Sequence, residues 1–394
     1  MARTELRGRL VLDEGVASGR IVVEDEWIAE VDLDVEPAED GLSDSDDIEA
    51  TAAATADDDA LPWLAPGFVD VHVHGWGGFD AMGSTADLDG MARALLRQGV
   101  TSFLPSGWTT PMPVLQAFAE RVRGWMPNAP ADGAEPLGFN LEGPFISAAR
   151  KGAHNPEFLQ TPADVPWSEI EPLLEGLRLT TIAPEIPGGL ELIRRLRTLG
   201  VRVAIGHSAA DLEQALAGYD AGGTTTTHLF NAMTGIEHRS PGVAVAALTR
   251  DDAFVELIAD GHHVDPALWP IVQRTKPVDR LILVSDALAM AGMGDGRVTV
   301  GGMEIDVVDG RCTIWGTSTI AGSVIALDTA VRNLVRHGSS LPAAIAAASA
   351  NPLEMLGVED RGRLEVGLRA DLVELTGDLR VSRVWRAGQV VEGA

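Results

Sequence analysis

Leu64-Ala65-Pro66-Gly67-Phe68-Val69-Asp70-Val71-His72-Val73-His74 is an apolar run that turns polar at alternate positions as it ends. Side chains alternate faces along a strand, so Asp70, His72 and His74 share one face, and two imidazoles two residues apart can converge on one metal ion. Alone, the His-x-His pair also fits a surface strand.

Working outward, apolar strand candidates recur, each followed by a helical pattern. They are TSFLPS (101–106), LGFNLEG (137–143), LTTIAP (179–184), VRVAIGH (201–207), GTTTTHLF (223–230), FVELIAD (254–260) and LILVSDA (281–287). With the first run this makes eight, interleaved with segments such as LDGMARALLRQ (88–98) and GLELIRRLRTLG (189–200). That alternation predicts an α/β fold, a closed (β/α)8 TIM-like barrel. An open doubly wound sheet fits less well, because no Gly-rich phosphate loop follows the first strand.

Residues 4–32 read as short strands, and strand character returns at 362–375 and 381–393. Together they predict a small β-sandwich domain built from both chain termini, with parts 1–63 and 358–394 flanking a barrel domain at 64–357. Residues 33–60 form an acidic, Ala-rich insert read as a loose surface excursion. Beyond the eighth strand, RVTVGGMEIDVVDGRCTIW (297–315) reads as Gly-punctuated strands, followed by helical stretches at 323–338 and 341–356.

The net charge of −28 removes the positive footprint that nucleic acid requires. A few local Arg and His residues can still bind a small anion inside an acidic shell. The single Cys312 rules out an intramolecular disulfide and fits a reducing compartment. MARTELRGRL has no signal-peptide core, and no apolar run approaches the roughly 20 residues that cross a bilayer. A cytoplasmic protein without a membrane partner is the expectation.

A barrel should carry its chemistry at the C-terminal strand ends. His72 and His74 end the first strand, Glu142 the third, His207 the fifth, His228 the sixth and Asp286 the eighth. Each has a plainer reading: His207 can precede a helix N-cap at Ser208, and His228 can be a satisfied core imidazole. Carboxylates inside apolar strands, as at Glu142 and Asp286, are costly unless they meet a cation. Five strand ends carrying ligand types together point to a metal centre. Imidazole and carboxylate donors without thiolate suit Zn2+, with Fe2+ or Mn2+ as alternatives, and they are enough for two ions. Asp286 can take a proton from water attacking a carbonyl and deliver it to a departing amine. In the following loops, His154 can donate to an oxyanion and Asn231 can meet a polar substrate. Arg239 with a histidine of Asp260-Gly261-His262-His263 can clamp a phosphate.

These motifs resemble the amidohydrolase superfamily and, within it, the N-acetylglucosamine-6-phosphate deacetylase family. The resemblance spans nearly the whole chain and rests on residues 66–75, 141–145 with 151–154, 205–208, 227–233, 259–264 and 321–323. It implies metal ligation by Glu142, His207 and His228 without a carboxylated lysine, Asp286 as catalytic acid/base and His154 as carbonyl polariser. It also implies sugar contacts from Ala153, Asn231, Ala232, Thr319, Ile320 and Ala321, and phosphate contacts from Arg239 and His263, the histidine directly before Val264. The family's arginine crosses a homodimer interface. Some relatives lack the first histidine pair and work with one metal, so His72 and His74 imply two. The implied reaction is hydrolysis of N-acetyl-D-glucosamine 6-phosphate to D-glucosamine 6-phosphate and acetate. Another amidohydrolase, such as an N-acyl-amino-acid deacylase or a dihydroorotase-like enzyme, and an inactive metal-binding scaffold are the rival readings.

Overall fold

The structure, a computed structural model, describes residues 2–34, 61–300 and 302–391. Of the insert read at 33–60, residues 35–60 lie outside the described residues.

Eight parallel strands form the barrel: Phe68–Val73, Val100–Trp108, Phe139–Glu142, Leu177–Ile182, Arg202–Ile205, Thr225–Thr226, Val255–Leu257 and Leu281–Leu283. The first six pair in chain order, and the last two pair with each other. Backbone bonds close the two gaps: Thr226 N donates to Phe254 O at 3.1 Å, and Asp286 N donates to His72 O at 2.8 Å. Every residue of Phe68–Val73 is buried, as expected of a strand covered on one face by helices and on the other by the barrel interior.

The strands are shorter than their apolar runs. Those read to 207, 230, 260 and 287 end at 205, 226, 257 and 283. The physical reason lies in the backbone: His207 (φ 45°), His228 (φ 27°) and Asp286 (φ 50°) adopt left-handed conformations that a ladder cannot continue. The reading of Ser208 as an N-cap is also corrected. The helix Leu212–Ala221 is capped by Asp211, whose partner Gln214 completes a capping box. Ser208 instead donates to Glu185 Oε2 at 2.7 Å.

The two chain ends meet in one seven-stranded sheet, in the order 389–391, 381–386, 372–375, 63–66, 3–12, 15–24, 27–33. Leu10, Ile21, Leu64, Leu372 and Trp385 face a small core of their own. The segment around Leu368 bonds the Trp27–Leu33 edge, with Ile28 N donating to Leu368 O and Gly367 N to Ile28 O, so the sheet folds over that core. The run read as strand over 362–375 is strand only at Leu372–Leu375. Its earlier part supplies Arg369, which joins Arg361 just before the run and Arg386 at the end of the next strand. Arg361, Arg369 and Arg386 all reach Glu135 Oε2 beside the second barrel strand, joining the terminal sheet to the barrel. The helix read over 341–356 breaks at Ser349 into Leu341–Ala348 and Ala350–Leu356. Among the described residues, no helix is long and apolar enough to cross a membrane.

Burial opposes the Glu135 charge, but Arg369 and Arg361 outweigh it and hold the carboxyl below its ordinary range. Its contribution to stability is therefore fully present above the ordinary carboxylate range and lost as pH falls below that range through the lowered folded-state value. Glu135→Ala removes the carboxylate these arginines share but leaves Arg361 on Asp360 and Arg369 on Asp371, and should cost about 2 kcal/mol of unfolding free energy in a denaturant titration at neutral pH.

Candidate active site

The C-terminal strand ends form the floor of a cavity of about 500 Å³, a volume suited to a small ligand. At its base Glu142, ending the third strand, is surrounded by imidazoles. Its Oε1 lies 2.9 Å from Nε2 of both His207 and His228. Its Oε2 lies 3.3 Å from His74 Nε2 and 3.2 Å from His154 Nε2. Directly after it, Gly143 (φ 90°) turns the chain under Thr109, where an added Cβ would sit 2.1 Å from Thr109 Oγ1. Only glycine fits that turn.

Two ligand groups meet on this carboxylate. His72, His74, Glu142 and Asp286 can present one donor atom each to a common centre, and so can Glu142, His154 and His207. Asp286 Oδ1 stands 3.2 Å from His74 Nε2 and 3.6 Å from His72 Nε2. All are buried. The ring orientations fit a cation. His74 Nδ1 lies 3.0 Å from Ser106 O, and His207 Nδ1 lies 2.9 Å from Arg150 O, so each can donate there and turn the lone pair of Nε2 inward. Nε2 atoms then approach each other closely, His72 and His74 at 3.2 Å and His207 and His228 at 3.1 Å. Lone pairs facing at such distances repel unless a proton or a metal ion lies between them. The donor set and these contacts fit a divalent-metal centre with one or two positions.

Electrostatics agree. Burial works against every charge here, yet the charges of His154, His207 and His72 hold Glu142 well below the carboxylate range. Burial likewise opposes ionised Asp286, but the His74 hydrogen bond and the His72 charge keep it below its ordinary value, so it stands ready as a base. His74 is pushed up to about 9 against its own burial, by Asp286 and Glu142. Asp70, which shares the strand face of the histidines, is no part of either group. It accepts from the backbone N–H of His72 and Ser285 at 3.2 and 3.4 Å, and burial raises it to about 6.

Strain concentrates here too. His207, His228, Phe230, Ala232 and Asp286 all have positive φ, each at a cost of order 1 kcal/mol that the surrounding ladder must offset.

Ala153, His154, Asn231, Ala232, His263, Thr319, Ile320 and Ala321 all line the cavity. His263 is fixed by Asp260, with Nδ1 2.7 Å from Asp260 Oδ2, whereas His262 is exposed beside the cavity. Arg239 is not brought in: it is exposed, and the cavity wall does not include it. Sequence reasoning missed the opposite wall. Trp108, Leu288, Val300, Met303 and Ile305 make it apolar, the last three coming from a three-stranded antiparallel flap at 296–300, 303–308 and 311–314. Gly punctuation in the flap's sequence signalled short strands, but nothing local said which surface they cover. Glu256 was also missed inside the apolar run FVELIAD, although its carboxylate is fully buried against His72.

The chain matches the amidohydrolase family over residues 63–391. It is 40% identical over 334 residues to the N-acetylgalactosamine-6-phosphate deacetylase of Escherichia coli O157:H7, covering 83% of this chain and 87% of that one. It is 38% identical over 345 residues to the N-acetylglucosamine-6-phosphate deacetylase of Danio rerio, covering 83% and 84%. Among solved structures, a variant of the Mycobacterium smegmatis N-acetyl-D-glucosamine-6-phosphate deacetylase in complex with N-acetyl-D-glucosamine-6-phosphate superposes with a TM-score of 0.88. Its identity is 34%, over 99% of this chain and 100% of that one. The Thermotoga maritima N-acetylglucosamine-6-phosphate deacetylase gives 0.87 at 30% identity over the whole of both chains.

With His74 raised to about 9, the metal-free cluster holds protons at neutral pH that a metal must displace. His72 is likewise held well above its ordinary value, against its own burial, by Glu142, Glu256 and Asp286, so metal affinity should rise as pH rises from neutrality. Calorimetric titrations in buffers of different ionisation enthalpy should show net proton release on metal binding at pH 7.

Proposed function

The chain belongs to the amidohydrolase family, and we infer that it hydrolyses the acetamide of N-acetyl-D-glucosamine 6-phosphate, giving D-glucosamine 6-phosphate and acetate. The observation that carries this reading is the Glu142 carboxylate held between two sets of imidazoles with ionised Asp286 beside it, at the mouth of a barrel shared with deacetylases of that sugar phosphate.

Glu142, His207 and His228 would hold one ion, and His72, His74 and Asp286, together with Glu142, a second. The nitrogen and oxygen donor set suits Zn2+, with Fe2+ or Mn2+ able to replace it. A divalent ion bound there acidifies water and polarises the acetamide carbonyl. Asp286 takes the proton from the water that attacks the acetyl carbon. As the C–N bond breaks, Asp286 returns that proton to the sugar nitrogen, leaving acetate and the free amine. His154 donates to the carbonyl oxygen as it gains charge. Ala153, Asn231, Ala232 and the Thr319–Ala321 loop bound the sugar. His263, oriented by Asp260, meets the phosphate. Arg239 is exposed and does not line the cavity of its own chain, and in this reading it completes the phosphate site of a second copy in a homodimer.

The 40% identical relative is named for N-acetylgalactosamine 6-phosphate, so the configuration at C4 is the second reading. Acetate release should be measured with both epimers and with unphosphorylated N-acetylglucosamine, before and after chelation. N-Acetylglucosamine 6-phosphate should be the best substrate, with activity lost on chelation and restored by a divalent ion. A metal-loaded protein that hydrolyses none of them would refute the reading, and preference for the galacto epimer would move it to C4.

Asp286→Asn should lower kcat by about 10³-fold or more with KM little changed. Arg239→Ala should raise KM for the phosphorylated sugar roughly 10- to 100-fold, the worth of one charge-assisted contact. Turnover of the unphosphorylated sugar should not change.

A further inference from the structure

Of the histidines in the two ligand groups, His74 and His207 have Nδ1 set against backbone carbonyls, which no substitution removes. His72 differs. Its Nδ1 is 3.1 Å from Oε2 of Glu256, a side chain in the middle of the seventh barrel strand that is 0% exposed. Val255 and Leu257 on either side are buried and apolar, so alternation turns Glu256 alone of the three toward the barrel axis. The same Oε2 stands 3.3 Å from the backbone N–H of His228, while Oε1 has no hydrogen-bond partner.

A wholly buried carboxylate with one unpartnered oxygen is an expensive way to accept two hydrogen bonds; a neutral side chain would do so at less cost. What a carboxylate adds is one-sidedness. An ionised carboxylate accepts and does not donate, so the His72 nitrogen facing it then carries the hydrogen. The other nitrogen, Nε2, is then left as a lone pair directed at His74 Nε2 and Asp286 Oδ1.

We propose that Glu256 is a positioning residue that fixes which nitrogen of His72 faces the cavity floor, and so sets whether the metal position at His72, His74 and Asp286 is filled. The inference rests on the two-position reading of the site. The position at His207 and His228 has a ring support of its own, the Arg150 carbonyl on His207 Nδ1, and Glu256 meets it only through the backbone N–H of His228, not through either imidazole.

The test is metal content and affinity. Wild type, Glu256→Gln and Glu256→Ala are stripped, titrated with Zn2+ and, after dialysis, measured for zinc per chain by mass spectrometry, with circular dichroism and thermal melts of the metal-free proteins as the check on folding. Wild type should bind two equivalents. Glu256→Ala should keep the tighter one and lose affinity for the other by about 10- to 100-fold, the usual effect of removing a hydrogen-bond partner behind a metal-bound histidine. Glu256→Gln should fall between them, because its amide oxygen can accept from His72 but its amide nitrogen permits the ring to turn over. Cobalt titration should show the visible spectrum of the weaker position altered and that of the tighter one kept. Two equivalents of wild-type affinity in both variants, or equal loss of both, would overturn the proposal. If Glu256→Ala does not fold, wild-type affinity at the weaker position in Glu256→Gln does the same. A wild type that binds fewer than two equivalents would instead overturn the two-position reading on which the proposal stands.

Discussion

Glu142 cannot remain charged at the bottom of an apolar barrel without cations around it, and the rest of the site follows from that constraint. The imidazoles of His74, His154, His207 and His228 lie within 3.3 Å of its two oxygens. Each comes from a different stretch of chain, so the carboxylate is satisfied only when the first, third, fifth and sixth strand ends are in register. Parallel pairing supplies that register, with Glu142 opposite Trp108 on one side and Thr181 on the other. A slip of one residue would turn Glu142 out of the barrel and take from His207, His228 and His154 the carboxylate they face.

Holding the donors in this way requires backbone that strands do not provide. His207, His228 and Asp286 each leave the ladder in a left-handed conformation, which swings the side chain over the barrel mouth. The strain is borne by the closed ladder below and by local bonds such as Asp286 N to His72 O. The terminal sheet serves from a distance: its arginines converge on Glu135 beside the second strand. The flap serves at close range, since Val300, Met303 and Ile305 give the cavity an apolar wall opposite the charged floor. Limiting water there strengthens every electrostatic interaction at the floor.

Much of this was legible in the sequence, for definite reasons. Polar residues that interrupt apolar runs are few, so His72, His74, Glu142, His207, His228 and Asp286 stood out, and all six converge. Pairing of the two chain ends was legible because both read as strands. Strand limits were not, because apolar content continues past the point where φ changes sign, and nothing in IleGlyHis or ThrThrHis announces a left-handed residue. Glu256 was hidden for a related reason. It lies in the middle of its strand and not at the C-terminal end where a barrel carries its chemistry, and only the closed barrel shows that its face is the inside. Arg239 marks the opposite limit, a residue whose expected role depends on a second chain and whose exposed position here neither supplies nor removes one.

The central claim is that one carboxylate, Glu142, is shared between two metal positions. Anomalous diffraction from crystals equilibrated with zinc, with data on both sides of the absorption edge, tests it most directly. The account predicts two peaks flanking the Glu142 carboxylate, one within bonding distance of His207 and His228 and the other of His72, His74 and Asp286. Ions bound elsewhere, or a single ion with His72 and His74 both uncoordinated in metal-saturated protein, would contradict it.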